Sequence, residues 1–340
     1  MDSFTHIALG SCVGEAILGK RIGLKAMAWG AVAQSIADID FISSFWLSTP
    51  DSLMAHRGIT HSILFNACLV PVFTYFAHRA HRTRHIPIKD WLLFFAVELF
   101  LHLFIDGFNN YGIGWLEPFS HQRYSFNAIY VVDPFFSASV GIAFVALLIL
   151  RRGSAYRRFW YRLGLIVTFS YLAYCTINKL IIQHDVEDIF VKQHIPHTQS
   201  FTTPAPLQDW LWFVVSGNDT GYYVGYRSLF DGKKEMDFHY FPRNDSLARG
   251  VKESHDLATL IHFSQGFYTI EKWRDTLVFN DLRFGQIVGW QNPEERFAFH
   301  YYLSPPQGAQ NNRLVVQRGR FAKWNWKAAK ALWKRIMNSG

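Results

Sequence analysis

The feature that most limits what this chain can become is a set of apolar runs in its first half, separated by short clusters of Lys and Arg. Pro134–Leu150 carries no charge. Leu163–Asn178 follows, with Lys179 at its edge where the side chain can snorkel. Ser62–Ala77 is a third run, and Trp91–Ile105 a fourth, interrupted by Glu98 and His102. Two spans rich in Gly and Ala precede these, Phe4–Leu18 and Leu24–Ile42, a composition that suits close helix packing in membranes. Several runs are shorter than the roughly twenty residues a crossing needs, so the first two are candidates for re-entrant segments. The expectation is an α-helical polytopic membrane domain of about six spans over residues 1–182, followed by a smaller, β-rich extracytoplasmic domain over 183–340.

Orientation follows from the basic residues. With both termini outside, the inner loops Gly19–Lys25, His78–Lys89 and Arg151–Arg162 carry twelve Lys and Arg, whereas Ser43–Thr60 and Gly107–Val132 carry only Arg57 and Arg123. That asymmetry is the positive-inside pattern. It accounts for much of the net charge of +8 without nucleic acid as a partner. Charged residues make up 18% of the chain, against about 25% in soluble proteins. Cys12, Cys68 and Cys175 each lie in an apolar run, which argues against a disulfide or a zinc thiolate site. The start Met1-Asp2-Ser3 lacks the basic residues of a cleaved signal peptide.

Beyond Gln183 the pattern changes. Aromatic and β-branched runs recur at Tyr222–Tyr226, Met236–Phe241, Thr276–Phe279, Phe297–Leu303 and Leu314–Val316, with turn formers such as Asp231-Gly232 between them. These predict an antiparallel sheet. The stretch Phe321–Met337, with Trp324, Trp326, Trp333 and several lysines, predicts a basic helix, lying on a membrane surface or packed on the sheet.

Ionisable groups within membrane spans are costly and usually functional. Here His6, Asp38, Asp40, His56, His61, His102, Asp106 and Asp133 all fall at the outer ends of their spans in a topology drawn from Lys and Arg alone. Glu98, His102 and Asp106 follow at i, i+4 and i+8, on one helix face. His56 and His61 flank Arg57-Gly58 in a loop entering a helix. This mixed nitrogen and oxygen set suits a divalent metal, zinc first and manganese or iron next. Structural roles compete for single residues: His6 as a satisfied helix-end side chain, Asp133 as the cap before Pro134, Glu98 as a tie to a neighbouring helix. No Gly-rich phosphate loop, GxSxG elbow or HExxH helix occurs.

The ordered series Asp2-Ser3-Phe4-Thr5-His6 with Gly10, Ala37-Asp38-Ile39-Asp40, His56-Arg57-Gly58-Ile59-Thr60-His61-Ser62 and His102-Leu103-Phe104-Ile105-Asp106 resembles a bacterial family of membrane-bound, predicted metal-dependent hydrolases. Some of its members are described as LexA-regulated inner-membrane proteins. Pro118-Phe119-Ser120 and Val132-Asp133-Pro134 also fit, and the resemblance covers about residues 1–180. The family often has Pro where Ala37 stands, a change in backbone that removes no ligand.

These residues together predict a metal-dependent hydrolase at the periplasmic face of the inner membrane. Its ligands are His6, Asp38, Asp40, His56, His61, His102 and Asp106, with Glu98 or Asp133 as general base or supporting group. Arg57 is placed to bind phosphate or carboxylate. A site at headgroup level points to membrane lipid as neighbour and a lipid or lipid-linked phosphoester as substrate. Two rival readings are a transporter or metal permease, and a structural or assembly protein whose metal stabilises the helices.

Overall fold

The computed structural model describes residues 1–232, 235–250, 254–274, 276–303 and 323–337. They form two compact units, Met1–Trp46 with Ala55–Thr176, and Leu47–Met54 with Ile177–Gly340. The first half of the chain is helical and the later region is rich in β-sheet.

The helical unit opens with α1 (Ser3–Ile22), whose cap Asp2 accepts from the Thr5 amide at 3.0 Å. Gly23, at φ +63°, turns the chain into α2 (Leu24–Ser35). The two helices mesh backbone to backbone. A Cβ on Gly10 would run into the Gly30 carbonyl, and one on Gly14 into the Ala26 carbonyl, so only glycine permits this approach. At twelve residues α2 is about 18 Å long, well short of a hydrocarbon core of about 30 Å. The chain then tightens into a 3-10 segment, Ala37–Phe45. The continuous span expected over Leu24–Ile42 is therefore broken at Ile36, and Asp38 and Asp40 sit in the tighter turns.

Most of the short helix α3 (Thr49–Ala55) belongs to the second unit. The helical unit resumes with a 3-10 turn, Ile59–His61, and Ser62 caps α4 (Ile63–Ala80) by accepting from the Phe65 amide at 3.1 Å. Next come α5 (Ile88–Asp106) and α6 (Pro134–Ile149), then the 37-residue α7 (Tyr156–Lys192), which crosses the boundary between units. Among the described residues two helices, α4 and α7, are long and apolar enough to cross a membrane; α6 is apolar but shorter. Large apolar side chains stay exposed on these helices, among them Leu64, Val72, Phe76, Ile142, Leu148 and Ile166. A surface of that kind fits lipid rather than water. Trp91, Phe94 and Phe95 pack with Leu18, Ile22 and Ala26 in one core cluster, and Phe136 and Val140 pack with Ala8, Leu9 and Val13 in another. A buried pair ties α1 to α7: Arg157 donates to both Glu15 oxygens at 2.7 and 2.8 Å.

Among its described residues the second unit holds two antiparallel sheets. One has the order β1 (Gln199–Pro204), β2 (Leu211–Asn218), β3 (Gly221–Ser228), β4 (His239–Pro242), and the other the order β5 (Tyr268–Trp273), β6 (Thr276–Gln286), β7 (Phe297–Tyr302). Helices α8 (Ser254–Phe263) and α9 (Trp326–Ile336) also belong to it. The expected runs at Tyr222, Met236, Thr276 and Phe297 correspond to β3, β4, β6 and β7, although β4 begins only at His239. The run Leu314–Val316 lies outside the described residues. Strands β1, β2 and β5 were not legible. In β2, Leu211 to Val215 are all buried, and such a run lacks the period-two alternation that marks a strand.

Candidate metal centre

The helix α5 supplies the deepest part of the site. Its spacing puts Glu98, His102 and Asp106 on one face, and all three side chains are fully buried. The His102 Nδ1 lies 2.7 Å from the carbonyl oxygen of Gln34. A carbonyl only accepts, so Nδ1 carries the proton and Nε2 of the neutral ring keeps its lone pair. His61 enters from the turn before α4. Its Nδ1 lies 3.2 Å from Asp40 Oδ2 and 3.0 Å from Thr60 Oγ1, which again leaves Nε2 pointing away from its support.

The two Nε2 atoms are 3.1 Å apart. Asp38 Oδ1 lies 3.5 Å from that of His61 and 3.9 Å from that of His102. Asp106 Oδ2 lies at the same 3.5 and 3.9 Å. These four residues offer ligand atoms that all fall within 4.8 Å of one another. A tetrahedral ion with bonds of about 2.1 Å separates its ligand atoms by about 3.4 Å. The observed spacings straddle that value. Asp106 Oδ2 is buried and accepts no hydrogen bond, although Arg57 Nη2 stands 3.2 Å away as an ion pair. Lone pairs that converge this closely repel unless a proton or a cation lies among them. Burial alone lowers the His61 pKa, but Asp106, Asp38 and Asp40 overcome that and raise it to about 9.

A shell of supporting contacts surrounds this centre. His56 Nδ1 meets Asp40 Oδ1 at 2.9 Å, while Asp40 Oδ2 accepts from the Arg57 amide at 2.7 Å and from Thr60 Oγ1 at 3.2 Å. Asp40 thereby orients His61, and His56 lies at the rim, about a third exposed. His6 bridges Asp106 Oδ1 and Gln34 Oε1, at 3.2 Å each. Gln34 in turn donates to the Glu98 carbonyl at 2.8 Å and to Glu98 Oε2 at 3.2 Å. Glu98 Oε1 has no partner. Arg57, at φ +57°, donates to Asn109 Oδ1 at 2.6 Å and lies over the Tyr111 ring. Its Nε is buried without a hydrogen-bond partner.

The structure brings His61, His102, Asp38 and Asp106 to one point and sets Asp40, His56, His6 and Arg57 around it. Glu98 reaches this group through Gln34. Asp133 is placed as a cap: Oδ1 accepts from Phe135 and Phe136 of α6, and Oδ2 accepts from the Tyr171 hydroxyl at 3.0 Å. Gln34, Thr60 and Asn109 were missed from the sequence. Gln34 had a usable signal, an amide within a Gly- and Ala-rich run, one turn before Asp38.

A family model described as YdjM inner membrane protein matches residues 1–182, the stretch that holds every residue above. The inner membrane protein YbcI of Escherichia coli (strain K12) is 31% identical over 122 residues, covering 35% of this chain and 69% of that protein. The uncharacterized protein YfhP of Bacillus subtilis (strain 168) is 26% identical over 314 residues, covering 84% of this chain and 87% of the other. No solved structure matches.

Proposed function

Since the chain belongs to the YdjM inner membrane protein family, we propose that it is a membrane-bound metal-dependent hydrolase acting at the periplasmic face. The observation that carries this reading is the convergence of His61, His102, Asp38 and Asp106, with Asp106 Oδ2 buried and accepting no hydrogen bond. Two imidazoles and two carboxylates fit zinc, with manganese or iron as alternatives. A divalent ion in such a site makes water more acidic and stabilises negative charge developing on a substrate.

The chain's own residues would do the remaining work. Asp40 and the Gln34 carbonyl hold the two imidazoles in one tautomer and orientation. Arg57 offers a guanidinium beside Asp106, suited to the oxygens of a phosphoryl group. Glu98 acts through Gln34 on His6 and is assigned a positioning role. In the proposed topology the ligand-bearing ends lie at headgroup level, which favours a lipid or lipid-linked phosphoester. A reporter active only outside the cytoplasm, fused after Gly340, should be active, and silent when inserted at Arg84; the reverse pattern overturns the orientation.

The decisive experiment is metal analysis of the purified chain followed by a phosphoester and lipid hydrolysis screen, repeated on Asp106→Asn. Stoichiometric metal and turnover, both lost in the variant, support the hydrolase. Turnover that survives without metal refutes it. One observation favours a scaffold instead: the contacts from Glu98 through Gln34 to His6 join three helices. Glu98→Gln separates the readings. Lost turnover in a stable, metal-loaded protein supports catalysis, whereas activity falling in step with melting temperature supports the scaffold.

A further inference from the structure

Helix α9 buries one stripe and leaves another outside. Ala328, Leu332 and Ile336 pack into the second unit, against clusters that include Ala205, Leu211, Ile287 and Ala298. Arg335 is also turned inward, donating to Asp231 at 2.9 and 3.0 Å and to the Tyr226 carbonyl at 2.6 Å. Asn325 caps the helix by accepting from the Ala328 amide at 2.9 Å. The fold of α9 is thus accounted for by its inner face.

The outer face has no such account. Trp326 is 84% exposed, Trp333 59% and Met337 45%, and Lys327, Lys330 and Lys334 are exposed among them. Positions 326, 330, 333 and 337 recur at i, i+4, i+7 and i+11 and so share one side of the helix. No Asp or Glu occurs from Trp326 to Met337. Two indoles held in water lose their favourable burial. Indoles interleaved with lysines are the side chains that settle at a bilayer interface, the ring among the headgroups and the ammonium on lipid phosphates.

We propose that this outer face of α9 docks on an anionic lipid surface. Charge decides the kind of lipid, since each of the three lysines favours an anionic surface by about fivefold, and together by about a hundredfold. A chain of an inner-membrane family always has a bilayer at hand. The proposal is independent of the metal centre and stands or falls without it.

The test uses the full chain in lipid nanodiscs. Cys68 is replaced by Ser, because Cys12 and Cys175 are buried, and a nitroxide is attached at Met337→Cys. That site keeps both tryptophans and all three lysines. In discs containing anionic lipid the label should be open to oxygen and shielded from a water-soluble nickel chelate. In purely zwitterionic discs the shielding should be lost, with the docked fraction reduced about a hundredfold in ratio, and in Lys327→Glu/Lys330→Glu/Lys334→Glu the loss should be larger still, since each reversal also adds a repelled charge. A label at Asp219→Cys, a side chain 91% exposed, should stay open to the chelate throughout. The charge variant should melt with the parent, because the altered side chains are exposed. A Met337 label open to the chelate in anionic discs overturns the proposal, as does equal shielding in all discs and in the charge variant.

Discussion

In the β-rich unit, buried charge meets its complement. Arg283 donates to both oxygens of Asp281 at 3.0 and 2.6 Å, and Arg335 to both oxygens of Asp231. In the helical unit the Nε2 atoms of His61 and His102 and the carboxylates of Asp38 and Asp106 turn lone pairs toward one another. Both arrangements are largely buried, with Arg335 and Asp38 partly exposed, so burial does not separate them. The direction of the hydrogen bonds does. A pair that sets a guanidinium against a carboxylate balances its charge within the protein, whereas acceptors gathered around a point call for a cation. The helical unit even contains its own control, since Arg157 and Glu15 are matched in the ordinary way.

The contrast breaks most sharply at His61. His61→Ala removes one of the converging atoms and should lower metal affinity by more than about a hundredfold, beyond what loss of a supporting contact costs. Metal content by elemental analysis checks this, with the exposed His184→Ala as the variant that should retain its metal. Equal metal in the two would dissolve the distinction between the units.

The matching substitution in the other unit should act on stability instead. Asp281→Ala takes the carboxylate from a buried guanidinium and should cost about 3–5 kcal/mol in thermal or denaturant unfolding. Metal content per folded molecule should stay unchanged. A smaller effect lies between these types. Gln34→Met keeps the side-chain volume but removes the acceptor for His6 and the donor to Glu98. Titration with zinc should show affinity reduced about tenfold. An unchanged affinity would make Gln34 a packing residue only.

The choice of those targets shows how much of the site was legible. The i, i+4 spacing of His102 and Asp106 and the two histidines around Arg57-Gly58 were visible because ionisable side chains stand out in apolar sequence. Gln34 stood out less: its side-chain amide is a weaker signal than a charge, and half of its contribution is a backbone carbonyl, which no sequence displays. The break at Ile36 was hidden for a similar reason: Ser35-Ile36-Ala37 contains neither Gly nor Pro to mark it. Asp133 stood with the cluster in the linear pattern, but the same residue before Pro134 is a ready helix cap, and three-dimensional placement made it one. In the β-rich unit, β3, β6 and β7 were readable although they are nearly as buried as β2, so burial alone does not divide the legible strands from the others.

The mildest test concerns His300, buried in the β-rich unit. Burial lowers its pKa, helped by Arg296 and opposed by the contact with the Phe297 carbonyl. The folded chain thus resists a proton that the unfolded chain accepts below about pH 6.5, so stability is full above that pH and declines below it. The slope cannot exceed about 1.4 kcal/mol per pH unit for one proton. His300→Gln should flatten the decline in melting temperature between neutral and mildly acidic pH, and an unchanged profile would remove His300 from the account.

The crossing of α1 and α2 at Gly10 and Gly30 has a consequence for how this chain tolerates change. His6 lies one turn before Gly10 and Gln34 one turn after Gly30, and a Cβ on Gly30 would also come within 2.7 Å of Glu98 Oε1. The spacing of the cluster is therefore set partly by two hydrogens where other residues carry a methyl. A single added carbon at either position would wedge the helices apart, and His6 and Gln34 would move with them. The two glycines are the gauge blocks of the centre, and the tolerance to substitution around it should be narrowest at residues with no chemistry of their own.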